Sequence, residues 1–482
     1  MILRSDAATT AATGGSETAA PVRPSRRSFV KALAIAPLAG AFGPFNLHVR
    51  SADSSSPFAT DNEVITRARQ AALAILKPTA RQIDHGFKIH AEALVFESYG
   101  FAPSAAIDGD RFKAAVDSGA SDRELVDLRE EMAMTRWATD AAERAEFLQA
   151  FRAAGVTCVF QNTGEESSNP LQLLKRLSRF THATDLAPEV CSKAGQPDDI
   201  VAAKRANRHC LYFTTNGVPL HQQWDNVRDE LQHIRIFQKL GVRMMHLTYN
   251  RRNQIGDGAG EPNDGGLSDF GHTVVGEMNR LGVIVDVAHS GWRTSREAAK
   301  ASRRPMVASH TTCAGLYQHF RGKPDDTIKA ICDTGGLVGI CCIPRFLGAG
   351  GDIAAFLDHI DYAVKKFGAD HVAIGVDTGY ASRNGAAERA KVKPRANGTS
   401  PLSATGPRWE HLWPVDPFKQ TPQGALSIAW TNWPLFTVGM VQRGHSDETI
   451  RKILGENTLR VARANWSPVP AGPLTVPPQG RG

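Results

Sequence analysis

Several features that would narrow the class of this chain at once are missing. Its seven cysteines form no CxxC pair and are odd in number, which argues against a zinc ribbon or a dense disulfide framework. Cys341 and Cys342 lie inside an apolar run and read as core. Aromatics make up only 7% of the residues, and no block of basic residues is interleaved with them. The formal charge is +7, and positions 1–60, with six basic residues against three acidic ones, supply three of those charges. That balance is too small to make nucleic acid a partner. The glycine-rich stretches lack the spacing of a phosphate loop or a dinucleotide turn. Beyond a short leader, no run is apolar for long enough to span a bilayer, so stable membrane insertion is not expected.

What remains is an ordinary globular composition, 482 residues of which 42% are hydrophobic and 22% charged, enough for one large domain or two medium ones. Near the start, Ser25-Arg-Arg-Ser-Phe-Val-Lys31 precedes a weakly apolar run from Ala32 to Phe45. Paired arginines, a Phe two residues on, a Lys and a modest apolar run together read as a twin-arginine export signal. A membrane anchor is the weaker reading, because the run is short and holds two prolines. The expected organisation is a signal peptide over 1–41, a linker over 42–61, a barrel domain over 62–470 and a disordered tail over 471–482. The mature protein is expected in the periplasm or outside the cell.

The centre of the chain repeats one pattern. Leu281-Gly-Val-Ile-Val-Asp-Val-Ala ends in His289, and Arg304-Pro-Met-Val-Ala-Ser ends in His310. The interval is what a strand, a turn, a helix and a turn consume, so the spacing predicts parallel neighbouring strands with both imidazoles at their carboxyl ends. Other strand-like runs end near Glu97, Gln161, Asn216, Tyr249, Ile343 and Asp377, and helical periodicity fills Val227–Leu240, Asp269–Leu281 and Ala354–Phe367. Eight strands are the count for an α/β fold of the (β/α)8 TIM-barrel type, with a doubly wound open sheet as the alternative. Ser167–Ala206 and Ser382–Trp433 read as insertions, suited to lids or subunit contacts, and a homodimer is the expected assembly. Trp409, Trp413, Trp430 and Trp433 read as packing the second insertion against the barrel. A last helix, Ser446–Asn465, closes the domain, with Ser446 as its N-cap.

The strand ends carry the chemistry. His289 and His310 on adjacent strands are candidate ligands of one divalent ion, against the plainer reading of hydrogen-bonded loop histidines. Asp377 ends the apolar strand Ile374-Gly-Val and is a candidate general base or ligand, against a helix cap. Arg321, eleven residues past His310, is a candidate two-pronged clamp for a carboxylate, against a solvated surface arginine. Tyr249 heads a loop rich in glycine and charge, with Asn250 beside it as a candidate substrate contact. Glu97 and Asn216 are weak candidate ligands.

These residues resemble the membrane (renal) dipeptidases. The similar segments are Leu247-Thr-Tyr-Asn-Arg-Arg-Asn-Gln-Ile-Gly-Asp-Gly258, Gly266-Leu-Ser-Asp-Phe-Gly, Glu277 through His289, Ser309-His310-Thr-Thr, Arg321-Gly-Lys-Pro-Asp-Asp, Ile374-Gly-Val-Asp377, Arg443-Gly-His-Ser and Ile453-Leu-Gly-Glu-Asn-Thr-Leu-Arg-Val. They run in the family's order from about Asn226 to Asn465, while residues 60–210 match loosely. The resemblance implies a two-zinc hydrolase of dipeptides on a (β/α)8 barrel. It implies that His289 and His310 ligate one zinc, that Arg321 receives the terminal carboxylate of a small peptide-like substrate, and that Asp377 handles the proton of the attacking water.

The departures from the family are local. Where it carries His-x-Asp on the first strand, this chain has Phe96-Glu97-Ser98-Tyr99. Where it carries a bridging Glu on the third, this chain has Thr215-Asn216-Gly217. Tyr249 stands in place of an oxyanion-stabilising histidine. Ordinary two-zinc binding is therefore expected to weaken, and the metal is one or two zinc ions or another divalent metal. The leading expectation is an exported metal-dependent dipeptidase-like hydrolase. The alternatives are a single-metal enzyme of another reaction class, with Tyr249 and Asp377 in acid–base roles, and a metal-free binding protein.

Overall fold

A computed structural model describes residues 56–164, 167–223, 226–395, 397–403 and 414–467. The expected leader, most of the expected linker, Trp409, Trp413 and the expected tail lie outside the described residues.

Eight parallel strands run round the domain: β1 Phe96–Gly100, β2 Cys158–Asn162, β4 His209–Thr215, β5 Val242–His246, β6 Ile284–Asp286, β7 Val307–Thr311, β8 Leu337–Ile340 and β9 Val372–Ile374. The remaining strand, β3 Cys191–Lys193, pairs with β4 outside this round. The Asp377 N–H reaches the Tyr99 carbonyl at 3.4 Å and brings the end of β9 to β1, so the sheet is a nearly closed (β/α)8 barrel.

Period-two alternation separates the two faces of the barrel wall. Phe96, Phe160, Tyr212, Met244, Ile284, Val307, Leu337 and Ala373 pack with one another in the interior. Val95, Val159, Leu211, Met245, Val285, Ala308, Val338 and Ile374 pack outward into the helical layer. One step toward the carboxyl ends, the interior positions change character to Ser98, His246, Asp286, Ser309, Gly339 and Gly375. Among the described residues the pairing register shifts at three places, one of them between Phe213 and Thr214 where β4 meets β5. The pairing of β1 shifts between Glu97 and Gly100, and that of β7 between Ala308 and Thr311. Such irregularities re-aim side chains. They turn Tyr99 and His310 inward, where the two rings stack with centroids 3.9 Å apart.

The helices Val227–Lys239, Asp269–Leu281 and Ile353–Phe367 stand where periodicity places them. Elsewhere the chain is more structured than its sequence suggests. Ser167–Ala206, read as an insertion, holds the helix Pro170–Leu186, β3 and the helix Pro197–Arg205. Phe58, inside the expected linker, is buried edge-on to Phe87 and His90. The last helix is broken into Asp447–Arg451, a π turn Lys452–Glu456 and Asn457–Asn465. The break falls where Gly455 crosses the start of β1, since a Cβ there would lie 2.2 Å from the Leu94 carbonyl. Beyond it Leu459, Val461 and Ala462 join the interior cluster and plug the amino-terminal end of the barrel. Trp430 and Trp433 are buried, as the packing reading expects. Among the described residues no helix is long and apolar enough to cross a membrane.

Candidate active site

The two strand-end imidazoles meet. His289 Nε2 lies 2.8 Å from His310 Nε2. The opposite nitrogen of each ring is held: His289 Nδ1 is 2.8 Å from Asn250 Oδ1, and His310 Nδ1 is 2.9 Å from Ser309 Oγ. The Asn250 oxygen only accepts, so His289 carries its proton on Nδ1 and offers a lone pair at Nε2. Tyr249 stacks on His289 at 4.2 Å as Tyr99 does on His310. Burial, followed by the nearby Arg321 guanidinium, pushes both imidazoles well below the usual histidine range, so both stay neutral at pH 7.

A second pair lies deeper. His246 and Asp286, the last residues of β5 and β6, are wholly buried, with Nε2 and Oδ2 2.7 Å apart. Asp286 Oδ1 accepts from the backbone N–H of Ala288 at 2.9 Å and of Ser309 at 3.1 Å. Burial alone would raise this carboxyl, but the adjacent His246 imidazole and these hydrogen bonds hold it below its ordinary value. Despite the short distance, His246 Nε2 and Asp286 Oδ2 are not aligned as a hydrogen bond, and neither they nor His246 Nδ1 has a hydrogen-bond partner. His246, Asp286 and His310 each present one donor atom within 4.8 Å of the others. Two imidazoles and a carboxylate, with His246 and Asp286 Oδ2 unsatisfied by hydrogen bonds, fit a divalent cation such as zinc. Sequence reasoning missed His246 because it ended the strand at Tyr249. The signal was available in Met244-Met-His246, which puts a histidine in phase with an inward methionine.

Two cations stand beside the imidazoles. Arg321 is 1% exposed, and its guanidinium donates to the Ala288 carbonyl, approaches the His310 carbonyl at 3.5 Å and His289 Nε2 at 3.4 Å, and lies over the Phe346 ring. No carboxylate among the described residues pairs with it. Lys323, also buried, donates to the Ser290 carbonyl and to Ser295 Oγ. Burial first, and then Arg321, pull its ammonium down to about 7. The folded state thus loses this proton near pH 7 while the unfolded chain keeps it to about 10.4, so stability rises with pH across that window, by about 1.4 kcal/mol per unit at most. Lys323→Met is expected to remove that slope and to be the more stable protein at and below pH 7. Urea midpoints measured from pH 6 to 10 check it, and parallel pH profiles for the two proteins would refute it.

At the mouth, Asp377 is half-buried beyond β9 and takes a left-handed backbone, φ 59°. Non-glycine residues in that region cluster at functional sites, and aspartate is among the few that tolerate it. Its charge is near enough to act, after burial, on the Tyr99 hydroxyl. The two weak ligand candidates are not brought to the group. Glu97 lies one step out of phase with the inward residues, and its buried carboxylate accepts from Trp430 Nε1 at 2.9 Å and Val376 N at 3.3 Å. Burial then raises its pKa well above the carboxylate range. Asn216 accepts from the Tyr99 hydroxyl at 2.7 Å, so the Tyr99 ring stands between it and His310. Two clefts of about 610 Å³ are lined from these strand tips. One is walled by Val64, Ile343, Tyr380, Ile428 and Trp430, and the other by Glu261, Asp264, Trp292, Arg293 and His319.

Comparison with known proteins agrees with this architecture. The chain is 36% identical over 150 residues to the dipeptidase aclJ of Aspergillus oryzae, 30% of this chain and 36% of that protein. It is 26% identical over 275 residues to the dipeptidase tcpJ of Claviceps purpurea, 56% of this chain and 54% of that one. It therefore spans between about a third and about half of the length of these curated relatives. Among solved structures, a probable dipeptidase, PvdM, and an amidohydrolase, both from Pseudomonas aeruginosa, share the fold. They superpose with TM-scores of 0.55 and 0.54 at 19% and 23% identity, over 80% and 79% of this chain and 98% and 99% of theirs. The sequence model of the membrane dipeptidases matches residues 117–390, more than half of the chain, and this protein belongs to that family, peptidase family M19.

Proposed function

We propose that the protein is an exported, metal-dependent hydrolase that cleaves a dipeptide or a small peptide-like amide bearing a free carboxylate. One observation carries the reading: the buried Arg321 guanidinium, which no carboxylate among the described residues pairs with, stands beside the converging histidines. A buried cation without a counter-ion is costly, and a substrate carboxylate offsets that cost. The Asn250 Nδ2 atom is buried without a partner and supplies a further donor beside His289. A divalent ion held at the imidazoles would supply Lewis-acid chemistry, polarising a carbonyl and lowering the pKa of a water molecule. The chain's own residues do the rest. Arg321 fixes the carboxyl end of the substrate, Asn250 keeps His289 in one tautomer, and Asp377 takes and returns the proton at the mouth. The apolar walls of the first cleft suit a substrate side chain.

The test is release of free amino acids from a panel of L,L- and L,D-dipeptides by zinc-loaded protein. No release from any of them would sink the proposal. Because β1 and β4 send no ligand to the group, a second reading is a single-metal enzyme acting on another amide-like metabolite. Turnover of N-acyl amino acids with no dipeptide cleavage would favour it.

A further inference from the structure

The donors at this site are arranged for one ion set deeper than the pair of strand-tip histidines. Asp286 has one oxygen occupied by two backbone N–H groups and the other, Oδ2, without a hydrogen bond. His246 has neither ring nitrogen satisfied. His310 has Nδ1 occupied by Ser309 and turns Nε2 to His289 Nε2 at 2.8 Å. Three buried side chains on three consecutive strands, β5, β6 and β7, each present one donor atom, and these donors lie within 4.8 Å of one another. A hydrogen-bonded core network would use those atoms among themselves. Here the His246–Asp286 approach of 2.7 Å is close and yet misaligned, which is the arrangement of ligands gathered about a third party.

Among the described residues, none on the opposite wall provides for a second ion. Glu97 points outward to Trp430, Ser98 Oγ donates to the Ser309 carbonyl at 2.7 Å, and the Tyr99 ring fills the space between Asn216 and His310.

We propose that His246, Asp286 and His310 form the seat of a single divalent metal ion. His289 closes the seat on the side of the mouth, its Nε2 2.8 Å from that of His310. This rests on the metal-dependent reading above but assigns different ligands and a fixed number of ions.

The experiment strips the full-length protein with chelator, titrates it with Zn(II) alone, and counts bound zinc by elemental analysis after dialysis. One ion per chain is expected. His246→Ala and the near-isosteric Asp286→Asn are each expected to weaken zinc binding at least tenfold with near-ultraviolet circular dichroism unchanged. Should either variant fail to fold, anomalous diffraction at the zinc edge from wild-type crystals decides. A single peak among His246, Asp286 and His310 supports the proposal. Two ions per chain, or a peak between His289 and His310 remote from His246, overturns it. Full zinc occupancy in His246→Ala together with loss in His289→Ala overturns this seat while leaving the hydrolase reading intact. A wild-type protein that takes up no zinc and still releases amino acids overturns the seat alone, and one that does neither overturns both.

Discussion

Asp377→Asn is expected to lower kcat for dipeptide release by about 10²- to 10⁴-fold, the range a positioned general base supplies, while bound zinc stays at the wild-type level. The substitution isolates the carboxylate because asparagine tolerates the left-handed backbone that Asp377 adopts, φ 59°, almost as well as aspartate does. Alanine would confound lost chemistry with backbone strain, because it has no polar side-chain group to hydrogen-bond locally in that conformation. Steady-state kinetics and metal content on the same preparation separate the two roles a carboxylate can take here. Loss of both in parallel would make Asp377 a ligand. Unchanged kcat would remove it from the chemistry and leave it as the residue that ties β9 to β1 through the Tyr99 carbonyl.

The parts of the fold that periodicity controls were legible. Helices such as Asp269–Leu281 announce themselves through an apolar stripe, and the inward and outward sets of the strands follow from alternation. The pairing of His289 with His310 was legible for the same reason, since a strand-ending histidine repeated at βα spacing is a periodic signal. What alternation could not show was where it breaks. The shifts in β1 and β7 have no marker in sequence, yet they turn Tyr99 and His310 inward. Glu97, between the inward Phe96 and Ser98, follows plain alternation to the outer face against Trp430, more than three hundred residues away along the chain. His246 was hidden by a boundary: the strand stops there rather than at Tyr249, and moving that boundary by three residues moves the polar inward position with it. β3 was unreadable because three residues, Cys191–Lys193, are too few to show any period.

Arg321 should decide substrate class, and its removal is expected to have the largest effect on kcat/KM of any single change outside the metal ligands. The guanidinium is held on one side by the Ala288 and His310 carbonyls and on another by the Phe346 ring, so its planar fork is fixed before substrate arrives. Arg321→Met removes a desolvated charge–charge contact of the kind that costs about 2–5 kcal/mol when one partner is truncated, which is about 30- to 5,000-fold in kcat/KM. Arg321→Lys restores the charge without the fork and should recover only part of the loss. Stability alone does not account for such a result if the substrate is varied along with the enzyme. Wild-type protein is expected to prefer a dipeptide acid to the same dipeptide with its carboxyl group amidated by a factor comparable to the mutational loss, and Arg321→Met to lose that preference, because the amide has already given up the contact that the variant cannot make. An Arg321→Met enzyme that still favours the acid by the wild-type factor would show that another residue grips the carboxylate. The buried cation beside His289 would then serve only to keep the imidazoles unprotonated.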